Sequence, residues 1–416
     1  MLISQLEAIP SPSNKIQLSA RVTYKGRETA SEVVWFEFKE GLLEQTSRSG
    51  DPWLLALLPL AFVSHQPLQI ELALDPVLLN NVRHLMAIWC RWYPEFSPIP
   101  IEASREDQSP EAPSRSAVFF SGGVDSFFTV LNQRAHKDHP IDDLLFVHGA
   151  DIPIRETGGF ARAKASIAFA SQAWDMRLLT VGTNLRSTRF RLADWGQLSH
   201  GALLGAVGLL FEGRYRQIYI SSSWPQGVLP PYGSHPDTDP LMSTSHTAFV
   251  HYGVWANRIQ KITSISSEPI ALDNLRVCWK NVDGSNCGRC TKCLRTMAVL
   301  EILGKLEACT AFPTNQLDLN RLRNAPLGND WQHYSFLGPF AREHGRTDIA
   351  EAFEAARSRA ARRNHLVLFG MVQRAAMRLR RSAKARQWLL PPLRWLRRVV
   401  SRTKDTRLAA DPRSAD

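Results

Sequence analysis

The stretch Ser116-Ala-Val-Phe-Phe-Ser121-Gly-Gly-Val-Asp125-Ser126-Phe-Phe-Thr-Val-Leu131 decides the fold. The apolar residues 117–120 predict a buried strand of a parallel sheet, and the apolar spacing from Phe127 to Leu131 predicts a helix. Between them, two glycines allow a sharp turn that can approach an anion closely, and the helix N-terminus adds N–H groups and the positive end of a dipole. The stretch therefore predicts a phosphate site between a strand and a helix.

Six residues form this predicted site. The hydroxyls of Ser121 and Ser126 and the backbone N–H groups of the turn would hold phosphates. The carboxylate of Asp125 would repel them unless a cation lay between, so Asp125 is predicted to hold Mg²⁺; the alternative is a helix N-cap. The predicted nucleotide-binding residues are Ser121, Gly122, Gly123, Val124, Asp125 and Ser126, with Asp125, Ser121 and Ser126 as the catalytic ones.

Alternating strands and helices follow this turn. Strands are predicted at residues 144–148, 177–181 and 217–220, and helices at 160–174 and 200–212. Such alternation predicts an α/β fold with a doubly wound parallel sheet, whose ligands bind at the carboxyl ends of the strands. Loops there, and the long loop 225–239, supply further candidates. For the nucleotide these are His148 and Asn184, and for the substrate Asp151, Pro236 and Asp237.

Four cysteines predict a metal site. The spacing Cys278-x8-Cys287-x2-Cys290-x2-Cys293 is that of a tetrahedral thiolate site, with a glycine inside the tight turn. Four thiolates favour Zn²⁺, and a site without an open position is structural rather than catalytic. Two alternatives stay open: an iron–sulfur cluster, and a redox or sulfur-carrying Cys-x-x-Cys pair.

The turn and the cysteines together carry a family resemblance. Ser121-Gly-Gly-Val-Asp-Ser126 resembles the PP-loop of the N-type ATP pyrophosphatases, and with the cysteine spacing the chain looks like the 7-cyano-7-deazaguanine synthase (QueC-like) branch over residues 116–303. The resemblance implies a HUP or Rossmann-like fold, ATP and Mg²⁺ as cofactors, and a structural Zn²⁺. It also implies that a carboxylate is adenylated, that AMP and pyrophosphate are released, and that ammonia attacks the activated acid.

Several features depart from that family. Ser199-His200-Gly201 stands where the family has Gly-Arg-Asn, and Arg295 is displaced by one residue relative to the arginine that follows the last cysteine. Pro236-Asp237, in contrast, lies where the family has a Pro-Asp in its substrate loop. The chemistry therefore transfers better than the substrate. A PP-loop enzyme acting on a different carboxylate, in a surface-glycan or defence pathway, and a non-catalytic ATP-sensing adapter are the alternatives.

The sequence divides into four predicted regions. Residues 1–105, with strands at 17–24, 33–38 and 68–74 and helices at 52–62 and 76–90, predict an N-terminal α+β module. The PP-loop domain spans 116–310 and includes the cysteine knuckle 278–293. A helical extension follows at 311–356, and a basic amphipathic tail at 357–416.

The positive charge lies in the tail. Seventeen Lys and Arg against three Asp after residue 356 give +14, so the net charge of +11 leaves 11 − 14 = −3 for residues 1–356. A body without a basic surface weakens the case for a nucleic-acid substrate. The tail predicts a membrane-surface or acidic partner, the alternative being a packed helix with a solvated end. No signal peptide or spanning run is recognised, so a cytoplasmic enzyme, peripheral at the membrane if the tail binds there, is expected.

Overall fold

A ten-stranded sheet runs through the structure, a computed structural model that describes residues 1–24, 30–104, 113–135, 140–327 and 335–362. Along the sheet the strands follow the order β10-β9-β6-β7-β8-β3-β2-β1-β4-β5. They are β1 (Leu2–Ser11), β2 (Lys15–Tyr24), β3 (Ala30–Lys39), β4 (Leu68–Ile70), β5 (Ile101–Glu102), β6 (Arg115–Phe119), β7 (Asp143–His148), β8 (Arg177–Thr183), β9 (Tyr215–Ser221) and β10 (Ala248–Tyr252).

Helices connect these strands and cover the sheet. They are α1 (Asp51–Val63), α2 (Pro76–Trp92), α3 (Val124–Ala135), α4 (Thr157–Ala173), α5 (His200–Leu209), α6 (Arg258–Ile265), α7 (Pro269–Asn274), α8 (Thr291–Ile302), α9 (Leu319–Arg323) and α10 (Leu337–Glu343). The side chain of Asp75 accepts hydrogen bonds from the N–H groups of Val77 and Leu78, which explains where α2 begins. Helix α1 is apolar on every side because it is buried on every side.

The five strands β10, β9, β6, β7 and β8 are parallel neighbours, which confirms the predicted α/β class with a mostly parallel sheet. In chain order the sheet grows from β6 outward to β7 and β8 on one side, and then to β9 and β10 on the other. The direction of winding therefore reverses between β6 and β9. Ligands of such sheets bind at this reversal point, at the carboxyl ends of the strands.

Helices lie on both faces of this parallel half. The side chains of β6 alternate: Phe119 joins the core formed with α1, α2 and α5, whereas Phe120, just after the strand, points to α3 and α4. On that second face the ring of Phe120 lies 4.9 Å from Phe127 and 5.9 Å from Trp174. Both faces are thus buried, as the continuous apolar run at 117–120 requires.

The N-terminal segment continues the same sheet. Strand β3 pairs antiparallel with β8 through Phe36 with Thr183 and Glu37 with Gly182, and β2 and β1 add further antiparallel strands. The predicted α+β elements of residues 1–105 are therefore joined to the parallel strands, and Met1–Glu354 form one compact unit. Strands β1, β5 and β10 were not predicted.

Ala355–Asp416 form a second unit, of which residues 355–362 are described and helical. From residue 363 onward the predicted basic tail lies outside the described residues. Within the described ranges, every helix is too short or too polar to cross a membrane.

Candidate functional site

The turn after β6 is built as a sharp loop that leads straight into α3. Gly122 has φ +73°, a conformation that favours glycine, and α3 begins at Val124. The Ser126 hydroxyl donates to the carbonyl of Gly123 at 3.0 Å, and the N–H of Gly123 donates to Ser121 Oγ at 3.3 Å. The first N–H groups of a helix have no acceptor within the helix, so the loop presents donors at the reversal point of the sheet.

A cavity of about 640 Å³ opens over this loop. All six predicted phosphate-site residues except Gly122 line it, and so do Ser221, the last residue of β9, and Ser223 in the loop that follows. Five cationic side chains also line it against two carboxylates, Asp125 and Asp151. The cations are Arg186, Arg258, Arg276, Lys292 and Arg295. A concave site with this excess of positive charge attracts anions.

Asp125 is held by two cations of α6. Its Oδ2 lies 2.9 Å from Arg258 Nη1 and its Oδ1 lies 3.2 Å from Lys261 Nζ. Lys261 is only 2% exposed and also donates to the carbonyl of Ser222, after β9. Burial lowers the pKa of Lys261, and the Asp125 carboxylate opposes that shift. Asp125 therefore ties α3, α6 and the loop after β9 together, a contact that the sequence did not predict.

Arg276 connects the phosphate loop to the cysteine knuckle. Its backbone N–H donates to the carbonyl of Gly122 at 2.6 Å, and its Nε donates to the carbonyl of Ser121 at 3.1 Å. The next two residues, Val277 and Cys278, donate their backbone N–H groups to the side chain of the buried Asn286 at 2.9 and 3.1 Å. Residues 276–278 thus hydrogen-bond to the phosphate loop at one end and to Asn286 of the knuckle at the other.

The four cysteines predicted to bind a metal lie together. Their Sγ atoms are all within 4.8 Å of one another, and three pairs are separated by 3.4, 3.8 and 4.0 Å. A tetrahedral ion with metal–sulfur bonds of about 2.3 Å places its sulfurs about 3.8 Å apart. The N–H groups of Asn281 and Cys290 donate to the sulfurs of Cys278 and Cys287. The cluster could hold a zinc-like metal ion.

The knuckle also forms one wall of the cavity. Cys278 and the following Trp279, which is 60% exposed, line the cavity, as do Lys292 and Arg295 from α8. The surrounding protein removes water from the Lys292 ammonium and lowers its pKa, while the side chain keeps contact with solvent through the cavity. A metal ion at the cysteines would therefore organise part of the anion site.

The remaining predicted site residues divide into two groups. Asp151 lines the cavity. His148 does not: its Nε2 lies 3.1 Å from the carbonyl of Pro153, and its ring stacks on Phe160 at 4.1 Å. Asn184 accepts from the N–H of Trp35 at 3.0 Å and donates to the carbonyl of Val33 at 2.8 Å, so its amide serves the junction between β3 and β8.

Pro236 and Asp237 are not among the residues that line the cavity. The Asp237 side chain is 67% exposed, and its carboxylate lies 3.6 Å from His235 Nδ1. The buried acid of this loop is Asp239, which pairs with His251 Nδ1 at 2.7 Å. Ser234, not Asp237, is the polar residue of this segment that reaches the cavity, together with Tyr232.

Comparison of the chain with family models, curated proteins and solved structures gives no match. The function is therefore inferred from the geometry of the site. Of the five cations, only Arg295 was named from the sequence, as a departure from the family, and the other four were missed. One signal was available: Arg276, Lys292 and Arg295 flank the cysteines, and Arg258 and Lys261 are spaced three apart in the chain.

Proposed function

We propose that this protein is an ATP-dependent, AMP-forming enzyme that activates a carboxylate for attack by ammonia or another amine. The observation that supports it best is the set of five cations around a glycine-containing loop at the reversal point of a parallel sheet. Triphosphates bind where backbone N–H groups and cationic side chains converge. The resemblance of Ser121–Ser126 to a PP-loop supplies the reaction class.

Each group has a role in this proposal. The loop N–H groups and the Ser121 hydroxyl hold phosphate oxygens, and Arg258, Lys292 and Arg295 neutralise them. Asp125 would hold Mg²⁺, which balances phosphate charge. The four cysteines would hold Zn²⁺ as a structural ion. Catalysis then rests on placing the carboxylate against the α-phosphate and on stabilising the charge that develops.

Incubation with ATP, Mg²⁺ and ammonium, with and without 7-carboxy-7-deazaguanine, tests the proposal. AMP and pyrophosphate formed only with that acid support a 7-cyano-7-deazaguanine synthase-like activity, and formation with another acid supports a different carboxylate substrate. If the protein binds ATP but forms no AMP with any of the acids tested, the result supports the ATP-sensing adapter.

The cavity itself is tested by a matched pair of variants. Lys292 lines the cavity, whereas Lys305 is exposed outside it. We expect Lys292→Gln to weaken ATP binding at least about tenfold, because a phosphate contact of 1.4 kcal/mol or more is lost. Lys305→Gln should bind ATP like the wild type. Equal affinities of the two variants for ATP, measured by calorimetry, would show that ATP does not bind in this cavity.

A further inference from the structure

The first residue of α5 is a histidine whose ring orientation is set by the backbone. Residues Trp195–Ser199 form one wide, π-type turn directly before α5, a rare feature that is frequent at functional sites. His200 Nδ1 lies 3.0 Å from the carbonyl of Trp195. A carbonyl can only accept, so Nδ1 carries the proton and Nε2 carries the lone pair in the neutral ring.

The surrounding loop holds His200 in place. The N–H of Gly201 donates to the carbonyl of Gly233 at 2.9 Å, and the N–H of Gly233 donates to the carbonyl of Gly196 at 2.9 Å. The ring of Tyr232 meets the His200 ring edge-on at 4.8 Å. These contacts clamp both sides of the turn, so the imidazole is pre-oriented.

His200 lines the same cavity as the phosphate loop. Within the described parts of the chain, no residue hydrogen-bonds its Nε2, whereas Nδ1 is occupied by Trp195. His200 is therefore held with Nδ1 occupied and with the lone pair of Nε2 available. In an anion-binding cavity, Nε2 can accept a proton from a ligand.

The charged groups around the ring favour this role. Burial lowers the pKa of His200, so the ring is neutral near pH 7. Asp239, beside the 239–242 turn, and Asp151, after β7, are close enough to oppose that shift, and His251 of β10 adds to it. The two carboxylates would stabilise the imidazolium once a proton has been taken. The Arg186 guanidinium lies over the ring of Trp195, 4.1 Å from its centroid, and the carbonyl of Trp195 orients His200.

We propose that His200 is the general base that deprotonates the amine as it attacks the activated acid. The inference rests on the proposed function. The amine nitrogen forms a bond to the acyl carbon, the bond from that carbon to the phosphate oxygen breaks, and AMP leaves with the electron pair. Nε2 of His200 takes the proton that the amine loses and then returns it to solvent. With ammonia the products are a primary amide, AMP and one proton.

The two half-reactions separate this role from the proposed function. Exchange of pyrophosphate into ATP, driven by 7-carboxy-7-deazaguanine, reports adenylation and needs no amine. Amide formation in a single turnover with ammonium reports the attack. We expect His200→Gln to keep exchange within about twofold and to lose about 10²- to 10⁴-fold in amide formation. The wild-type rate should fall at acid pH as His200 is protonated, and the variant should lack that dependence.

His84 supplies the matched control, because it is exposed on α2 and does not line the cavity. His84→Gln should resemble the wild type in both half-reactions. An equal loss of exchange and amide formation in His200→Gln, or no loss in either, would overturn the inference and leave the proposed function standing. Absence of exchange in the wild type with 7-carboxy-7-deazaguanine and with every other acid tested would contradict both the proposed function and this inference.

A measurement on the full chain without substrate tests the ring directly. In protein labelled with ¹⁵N-histidine, His200 should show an unprotonated Nε2 and a protonated Nδ1 near pH 7, with His200→Gln identifying the signals. The opposite tautomer, or an imidazolium at that pH, contradicts the assignment of Nε2 as a base.

Discussion

Replacing Asp125 with alanine tests whether this residue is structural as well as functional. Lys261 is 2% exposed, and its ammonium donates to Asp125 and to the carbonyl of Ser222. Asp125→Ala leaves that ammonium, and part of the Arg258 guanidinium, without a counter-charge. If Asp125 served only as a metal ligand, replacing it with alanine would not lower the stability of the fold.

The size of the effect follows from the geometry. At an effective dielectric constant of about 20, a charge pair 3.2 Å apart interacts by about 5 kcal/mol, and breaking one partner of a buried pair typically costs about 3–5 kcal/mol. Asp125 is 18% exposed, and Lys261 can release its proton, so we expect the lower value, about 3 kcal/mol. For a unit spanning Met1–Glu354 this corresponds to a fall of about 4 °C in Tm.

The dependence on pH sharpens the test. The folded-state pKa of Lys261 lies below its ordinary value, so the unfolded chain binds more protons between the two values and stability rises with pH there. Without Asp125 the folded-state pKa falls further and this window widens. The deficit of Asp125→Ala should therefore shrink as the pH approaches about 10.

Thermal and urea unfolding of Asp125→Ala, Lys261→Met and the double variant measure the effect. The double variant should recover part of the lost stability, because it removes the buried Lys261 ammonium and leaves only Arg258 without its carboxylate partner. An unchanged Tm in Asp125→Ala, or a double variant no more stable than the single one, would refute the ion pair as a structural element.

Three further predictions concern the metal, a close contact and a buried acid. If the four cysteines hold a metal ion and the cavity binds ATP, removing the ion with a chelator, or replacing Cys287 with serine, should weaken ATP binding about tenfold through the lost support for Arg276. Cys90→Ser, on α2, should not change it; calorimetry and metal analysis measure both. Gly201→Ala should destabilise by about 2–3 kcal/mol in urea unfolding, because its Cβ would lie 2.1 Å from the carbonyl oxygen of Gly233, whereas Gly158→Ala meets nothing within 4 Å and should not destabilise. Burial, and to a smaller extent the nearby Glu212, raises the pKa of Asp51 to about 7. The folded chain therefore binds one more proton than the unfolded chain between about pH 4 and 7, and it loses stability as the pH rises through that window. Asp51→Asn should remove this loss and raise the free energy of unfolding by about 2 kcal/mol at pH 8, which urea unfolding measures.

The phosphate loop could be predicted because its determinants are local. A short apolar run, two glycines and a helix start within about sixteen residues specify a strand, a turn and a helix whatever lies elsewhere. The cysteine cluster is similarly local, since three of its four members lie within seven residues. The partners of Asp125 could not be found in this way. Lys261 follows it by 136 residues, and only the fold brings α6 beside α3.

Asn184 and His148 were predicted to contact the nucleotide, but neither lines the cavity. Asn184 follows β8 and His148 ends β7, and the general rule for such sheets places these positions near the ligand. The His148 ring instead contacts the carbonyl of Pro153 and stacks on Phe160. The reversal point lies between β6 and β9, however, and β8 is two strands from β6, beside the antiparallel strand β3. The backbone groups of β3 take both ends of the Asn184 amide. No local pattern indicates that an N-terminal strand joins the sheet there.

The ion pairs of Asp125 and its proposed role as a metal ligand are compatible through an exchange of partners. In the structure one carboxylate faces two cations, Arg258 and Lys261, so this group carries a net charge of +1. If Asp125 holds Mg²⁺ when ATP is bound, the carboxylate acquires a divalent partner, and Arg258, which lines the cavity, becomes available to phosphate oxygens nearby. Lys261 does not line the cavity and is 2% exposed, so its ammonium would stay beside Asp125 and the carbonyl of Ser222. Asp125 would therefore stay paired with and without ATP, and the polyanion would replace the carboxylate that Arg258 had lost.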